Sequence, residues 1–501
     1  MFVRKKPNKS GKVSIQVIDK SSGKYKVVKT IGSSNDPSEI NRMIDEAKQF
    51  VKAKSGIIEM DFTNYKKLYL EVLSSIQTHK LVGIEYVLGK IFNEIGFNTI
   101  KDELFRDLVL YRIVYPKSKL RTVEYLNRYS NKQYNEDEIY RYMDKLHNQQ
   151  KNTIQDISYR HTLKLFNGKL AAVFYDVTTL YFEIEKEDDI RKIGFSKDGK
   201  HQHPQILLGL LVSEKGYPLA YDIFEGNKFE GETFIPIIEG FIKRFEIKNI
   251  TIIADAGLLS QKNIQELKSK GLEFILGARI KNESKEIKDT ILSHSFKDEQ
   301  YLQIVSEGMK TIVTYSESRA KKDNANREKG LIRLENQLNK GKLSKQNINN
   351  RGYNKFLKLK GSIEIELDND KIDNDKKWDG LKGYVTNSKL SPEEIINNYK
   401  ELWQIEKAFR IAKSELKIRP IYHYKQRRIE AHICLNFVAY KVYKELERQL
   451  KAKGTILTAE KVIEAIQNIY EISVKTPDGE ILKKLITTSP EHREIQDLFN
   501  F

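Results

Sequence analysis

Ala171-Ala172-Val173-Phe174-Tyr175 runs without a polar interruption into Asp176, and further along Ile250-Thr251-Ile252-Ile253-Ala254 runs in the same way into Asp255. Short β-branched and aromatic runs of this length read as buried strands. Between and around them the chain alternates. A second strand is expected near Gln205–Val212 and a third near Leu219–Phe224, then a helix near Phe234–Phe245, the strand leading to Asp255, a helix over Ser260–Lys270 and a strand at Phe274–Ala278. Strands interleaved with helices define an α/β core. Aspartate is depleted in strands. Asp255-Ala256-Gly257 has the composition of a turn, which is one sufficient reason for an aspartate there. Asp176 has no such reason, because Val177-Thr178-Thr179-Leu180-Tyr181-Phe182 continues the strand pattern beyond it.

A third acid lies near the C-terminus. Ser391-Pro392-Glu393-Glu394 has capping-box spacing with proline at the first helical position, and the periodic pattern continues to Lys413, ahead of the break at Arg419-Pro420. Read as one helix, it places Tyr399, Glu406 and Lys413 in a row, since residues seven apart drift by about 20° and rise about 10.5 Å. Leu402, Trp403, Ile405, Phe409 and Ala412 put Glu406 on or beside an apolar stripe, where a carboxylate needs a metal ion or a lysine. The plainer alternative is a surface pair with Arg410, four residues on. Two strand aspartates and a helix glutamate are three hard oxygen ligands of the kind that take Mg²⁺.

These segments together resemble the DDE transposases of bacterial insertion sequences, in the group named for a Tyr-Arg-Glu-Lys signature. Here the signature reads Tyr399, Leu402, Glu406 and Lys413 with every spacing kept and leucine in place of the arginine. Phe174 to Thr179, Gln205 to Val212 with Gly209, Phe224-Glu225-Gly226-Asn227, Ala254 to Gly257, Ile405 to Arg410 and Arg419 to His423 also look like the group and occur in its order. The resemblance implies a ribonuclease H-like catalytic core interrupted by a β-rich insertion, with Asp176, Asp255 and Glu406 as catalytic metal ligands for Mg²⁺, or Mn²⁺ as substitute. Two ions about 3.5–4 Å apart would serve the attacking and the leaving oxygen. It further implies nicking at the element end to free a 3′-OH, attack of that 3′-OH on target DNA, and in some members a hairpin route in which a flipped base stacks on an aromatic side chain. Lys413 and Tyr399 are then phosphate contacts, Arg410 a substitute for the missing arginine, and Trp378 a candidate stacking residue whose plainer role is packing. The partners implied are double-stranded DNA, as terminal inverted repeats and target, and a second copy of the chain on that DNA.

The expected organisation is a small β-rich module over 1–60, a helical DNA-binding domain over 61–160, the first part of the core over 161–281, an inserted basic β-rich domain over 282–376, and the second part of the core with a helical tail over 377–501. The insertion follows from 406 − 255 = 151 residues between two acids of one site, too long for a simple connection. In the helical region Lys117, Lys119 and Arg121 follow the Pro116 break, either as a solvated helix end or as DNA phosphate contacts.

Composition agrees with a polyanionic partner. The formal charge is +18 with pI near 9.3, and Arg319–Lys360 alone holds 13 Lys or Arg against 3 acids. The single cysteine, Cys434, excludes internal disulfides and cysteine zinc clusters. His201-Gln202-His203 is a weak zinc signal without further ligands, and His423 and His432 flank Arg427 and Arg428 where DNA contact and helix packing are both open. No signal peptide, membrane-length apolar run or Walker loop is present, so the expectation is a bacterial cytosolic, nucleoid-associated protein. Two other functions share these features: a two-metal nuclease that does not join strands, and a non-catalytic DNA-binding derivative, against which the presence of all three acids argues.

Overall fold

The computed structural model describes residues 1–55, 70, 74–130, 132–247, 249–306, 308–360, 364–476 and 479–501. The helical pattern read from Asn64 onward therefore begins outside the described residues. Two compact units are formed. The first is Met1–His79 with Ile472–Lys484 and the second Lys80–Glu471 with Leu485–Phe501.

In the first unit an antiparallel sheet of Phe2–Pro7, Val13–Asp19 and Lys26–Ser34 carries the helix Pro37–Lys54. Asp36 caps that helix, accepting from the Ser38 amide. Ile15, Val17 and Ala47 are fully enclosed between helix and sheet.

The second unit is built on an eight-stranded sheet. Its strands are β1 (Ala172–Tyr181), β2 (Gln205–Ser213), β3 (Pro218–Glu225), β4 (Thr251–Ala254), β5 (Glu273–Ala278), β6 (Tyr301–Ser306), β7 (Met309–Tyr315) and β8 (Leu381–Thr386), in spatial order β6-β7-β8-β5-β4-β1-β2-β3. β1 pairs antiparallel with β2 and parallel with β4, and β4 pairs parallel with β5. The order three strands, helix, strand, helix, strand runs along the chain as the sequence indicates, with helices Gly231–Phe245 and Gln261–Ser269 in the two helical places. Every residue of β2 is buried, which is why it reads as an unbroken apolar run rather than an alternation. Along β1, Val173, Tyr175 and Val177 face one core with Phe234, Ile238 and Phe241 of the Gly231–Phe245 helix. Ala172, Phe174 and Leu180 face the other, with Ile405, Ala408 and the long helix Gln426–Ala452.

Four expectations change. The described residues of 80–160 do not form a core of their own: helices Glu103–Val114 and Glu136–Gln149 pack on Gln426–Ala452, and their apolar residues join its cluster. The reason is the apolar girth of that helix, buried from Ile429 to Tyr443 on almost every side, so that it needs partners all round. Residues 282–376 are not β-rich. β6 and β7 extend the central sheet through β8, and the basic stretch is mostly the helix Glu317–Asn339, with a hairpin of Leu357–Lys360 and Glu364–Leu367 and the helix Asn369–Lys376. Leu331, Leu334 and Leu338 supply a helical stripe within a run so rich in Lys and Asn that the stripe is easily overlooked. The tail after Gln426–Ala452 includes strands Tyr470–Lys475 and Ile481–Ile486 between its helices. Finally, Ser391–Lys413 is two helices, Pro392–Lys400 and Trp403–Ser414. At the junction the Leu402 amide donates to Tyr399 and the Ile405 amide to Leu402, the i to i+3 spacing of a tightened turn. Residues seven apart therefore do not stack as they would on one straight helix.

Candidate active site

Asp176 sits in the middle of β1, and Asp255 follows the last residue of β4. The parallel register pairs Tyr175 with Ala254, so both acids stand one step beyond the same pair on neighbouring strands, which are about 4.8 Å apart. Burial pushes Asp176 up to about 6, Lys197 and the Val177 amide pull it back, and the charges of Glu230 and Asp255 add to the rise.

Glu230 precedes the helix Gly231–Phe245. It shares the Lys197 ammonium with Asp176, at 3.1 Å and 3.7 Å respectively. Lys197 Nζ also donates to the Val177 carbonyl at 2.6 Å. Sequence reading missed both residues. Glu230 lies three residues beyond the quoted Phe224–Asn227 segment, where an acid opening the next helix was a usable signal. Lys197 lies in a polar loop with none.

Asp255 is exposed just beyond the end of β4, and its carboxylate accepts the Tyr399 hydroxyl at 3.3 Å. Tyr399 is 3% exposed, its ring packed at 59° to that of Tyr384 with centroids 4.7 Å apart. Its proton is held more firmly than usual by burial and then by the charges of Asp255, Tyr384 and Glu406. Gly277 makes this contact possible. β4 pairs Ala254 with Leu276, so Gly277 flanks Asp255, and a Cβ there would lie 2.5 Å from the Tyr399 hydroxyl and 2.8 Å from the Ala256 amide nitrogen. Tyr399→Phe leaves the ring packing and removes only the hydrogen bond, so it is expected to lower stability by about 1 kcal/mol, measured by urea denaturation.

Glu406 is exposed on Trp403–Ser414 rather than set in the apolar stripe, because Ile405, Ala408 and Phe409 turn inward on the shortened helix. No ion pair joins it to Arg410. Burial and then the Arg319 charge lower the Lys382 ammonium, and the charges of Asp255 and Glu406 work against them. Lys382 lies over the Tyr399 ring at 4.6 Å. Asp255, Glu406, Tyr399 and Lys382 thus share one neighbourhood, and Asp255 links it to Asp176 and Glu230. Lys382 and Arg319 too escaped the sequence reading.

Lys413 is already engaged. Its ammonium lies 3.3 Å from both oxygens of Asp198, which also accepts from Arg419 at 3.2 Å. Burial lowers the Lys413 ammonium and Asp198 works against that. Arg410 is exposed and lines a groove with Trp403, Lys407, Lys444 and Lys451. Leu402 is buried at the helix junction, a position suited to packing. Trp378 packs with Ile280, Ile291 and Val313 at the β7–β8 side of the sheet. Lys117 and Arg121 are exposed, Arg121 bonded to Glu124, whereas Lys119 is buried.

Among the described residues no three acid, imidazole or thiol side chains converge closely enough to enclose an ion as they stand. The donor set nonetheless fits a hard divalent cation. The charges of Asp255 and Glu230 both act on Asp176, and Lys197 supplies a positive charge between Asp176 and Glu230. Exchanging that ammonium for a cation would leave the acids better compensated.

A family description, Transposase DDE domain, matches residues 168–441, more than half of the chain. No curated protein matches. Among solved structures, the chain is similar to the piggyBac transposase in a cryo-EM structure of its synaptic complex with hairpin DNA. The identity is 10%, the match covers 76% of this chain and 79% of that one, and the TM-score is 0.38. With the family match spanning both strand aspartates and the Glu406 helix, the chain belongs to the DDE transposase domain family.

Proposed function

We propose that this protein is the transposase of a bacterial insertion sequence, of the Tyr-Arg-Glu-Lys group, with a ribonuclease H-like core. In this reading it cleaves DNA at the terminal inverted repeats of its element and joins the freed 3′-OH to target DNA, acting as a homodimer on that DNA. The observation that carries it is the register that sets Asp176 and Asp255 side by side, with Glu406 acting on Tyr399 and Lys382 beside Asp255. Asp176, Asp255 and Glu406 would hold Mg²⁺ or Mn²⁺. Bound there, a divalent ion would activate the attacking oxygen and stabilise the leaving one.

The chain's own residues divide the remaining tasks. Tyr399 fixes the rotamer of Asp255 through its hydroxyl, and Lys382 balances the acids on the Glu406 side. Lys197 holds Asp176 and Glu230 together with a positive charge that a bound cation would replace. Lys413 and Arg419 present positive charge to DNA once Asp198 gives way. In the first reaction water attacks phosphorus and the 3′ oxygen leaves, taking a proton. In the second that hydroxyl attacks a target phosphorus and the target's 3′ oxygen leaves, so the number of phosphodiester bonds is conserved.

Asp198→Asn is expected to bind duplex DNA several-fold more tightly, since Lys413 and Arg419 would no longer be neutralised. Lys413→Met is expected to weaken binding and to reduce the salt slope by about 1. Fluorescence anisotropy over a range of salt concentrations measures both, and equal affinity in Asp198→Asn and wild type would remove Lys413 and Arg419 from the DNA contact.

The function itself is tested by incubating purified protein with Mg²⁺ or Mn²⁺, labelled DNA ending in the element's terminal repeat, and target plasmid. Cleavage leaving a 3′-OH, followed by joining, supports the transposase. Cleavage without joining assigns a nuclease instead, and binding without cleavage a non-catalytic derivative.

A further inference from the structure

Two cations are buried in the second unit without an acid to answer them. Arg112, on the helix Glu103–Val114, is 7% exposed, and Lys119, the first residue of the helix Lys119–Tyr129, is 5% exposed. Neither side chain forms a hydrogen bond or ion pair with any described residue, and no carboxylate acts on either. Lys119 instead feels Arg112, which together with burial depresses its ammonium. Buried charges are ordinarily paired, and Arg327, Glu445 and Asp107 in this same chain are. Lys441 lacks an ion pair too, but it donates to the Ser158 carbonyl and the Thr162 hydroxyl, whereas Arg112 and Lys119 depart from that rule with no such partner among the described residues.

Two histidines complete the surroundings. His423 and His432 lie 5.5 Å apart, ring to ring, with the edge of Tyr140 at 6.2 Å from His423. The charges of Arg112 and Lys119 reach both rings and help hold them neutral. His432 places Nε2 3.0 Å from the Ile418 carbonyl, while its Nδ1 is enclosed without a partner. Arg428 also faces His423 but is answered by Asp144 at 2.8 Å. Asp144 is thus engaged by Arg427 and Arg428 and does not serve Arg112 or Lys119. The cluster holds a guanidinium, an ammonium that burial and the guanidinium depress, two imidazoles held neutral, and no negative group.

An anion would satisfy it. Lys119 stands in the first turn of its helix, where free amides and the helix dipole favour negative charge, and exposed Lys117 and Ser118 adjoin it at the surface. Arginine offers a fork matched to a tetrahedral oxyanion, and lysine a point charge.

We propose that Arg112 and Lys119, walled by His423 and His432, form a binding site for a phosphate oxyanion, separate from the acids of the catalytic sheet. The phosphate is either a backbone group of bound DNA or free in solution. The site stands whether or not the transposase reading holds, because none of its residues belongs to the acid cluster.

The test follows thermal unfolding of the full chain in chloride and in inorganic phosphate at matched ionic strength, for wild type, Lys119→Met and Arg112→Met. Wild type is expected to gain stability saturably with phosphate, and both variants to lose that gain. Lys119→Met is expected to melt higher than wild type in chloride, because an unanswered buried charge is gone. Should Arg112→Met fail to fold, Lys119→Met and Lys119→Arg still decide, the latter expected to retain the phosphate response. No phosphate-dependent rise in wild type, or the same rise in Lys119→Met, would overturn the site. A duplex DNA arm separates the sources. If DNA supplies the phosphate, Lys119→Met weakens DNA binding with a salt slope smaller by about 1, and DNA abolishes the response to inorganic phosphate. If free phosphate is the ligand, DNA affinity is unchanged by Lys119→Met while the phosphate response is still lost.

Discussion

Asp176→Asn and Glu406→Gln are each expected to lose strand cleavage by more than about 100-fold, beyond the 10–100-fold typical of removing only a partner of a metal ligand. The two losses should differ in their effect on folding. Asp176 is 23% exposed at its side chain and sits among Glu230 and Asp255, so neutralising it relieves repulsion while costing its pairing with Lys197. Glu406 is exposed and its removal costs the fold little. Both variants should therefore melt within about 2 °C to 4 °C of wild type, the shift produced by roughly 1 kcal/mol in a chain of this size, and should bind DNA. Mg²⁺ is expected to raise the melting temperature of wild type, by preferential binding to the folded state, and not that of Asp176→Asn. Cleavage by Asp176→Asn at the wild-type rate would show that the strand aspartates are structural.

Gly277→Ala is expected to cost about 1–3 kcal/mol, the range for inserting a methyl group into a packed site, and to impair cleavage as well. The new Cβ meets two groups at once, the Tyr399 hydroxyl at 2.5 Å and the Ala256 amide nitrogen at 2.8 Å. The first belongs to a side chain 3% exposed against Tyr384, with little room to retreat. The second is backbone, in the turn that follows Asp255. Whichever gives way, Asp255 loses its hydroxyl donor or its position. The double variant Gly277→Ala with Tyr399→Phe discriminates between the two: recovery of stability relative to Gly277→Ala alone assigns the clash to the hydroxyl. Urea denaturation and the cleavage assay measure both effects, and an unaffected Gly277→Ala would mean that β5 and the Tyr399 ring are free to separate there.

The strand aspartates were legible because a charged residue at the end of, or within, an apolar run violates β preference, and a local violation is visible in a linear text. Their neighbourhood was not. Glu230, Lys197 and Lys382 come from a helix start, a loop and an interior strand, and each is an ordinary residue in its own segment. Only the fold brings them to Asp176 and Asp255. Lys413 shows the converse, since the spacing singled it out for phosphate while the structure finds it held by Asp198.

Helix continuity failed as a sequence inference at Leu402. Capping residues and periodicity mark where helices begin and which face is apolar, but the turn between Lys400 and Trp403 has no glycine or proline to announce it. The same limit applies to domain boundaries. The helices from Glu103 to Gln149 look self-sufficient in sequence, yet their apolar faces are shared with Gln426–Ala452.

By itself, then, the sequence determined the alternation of strands and helices, the order of the five strands around Asp176 and Asp255, and the candidate acids, because these depend on local period and local violation. Tertiary structure alone decided which acids face one another, which lysines stand between them, and where Arg112 and Lys119 are left without a counter-charge. Those are properties of distance through space, which residues far apart in the chain acquire only when the sheet and the helices around Gln426–Ala452 close on one another.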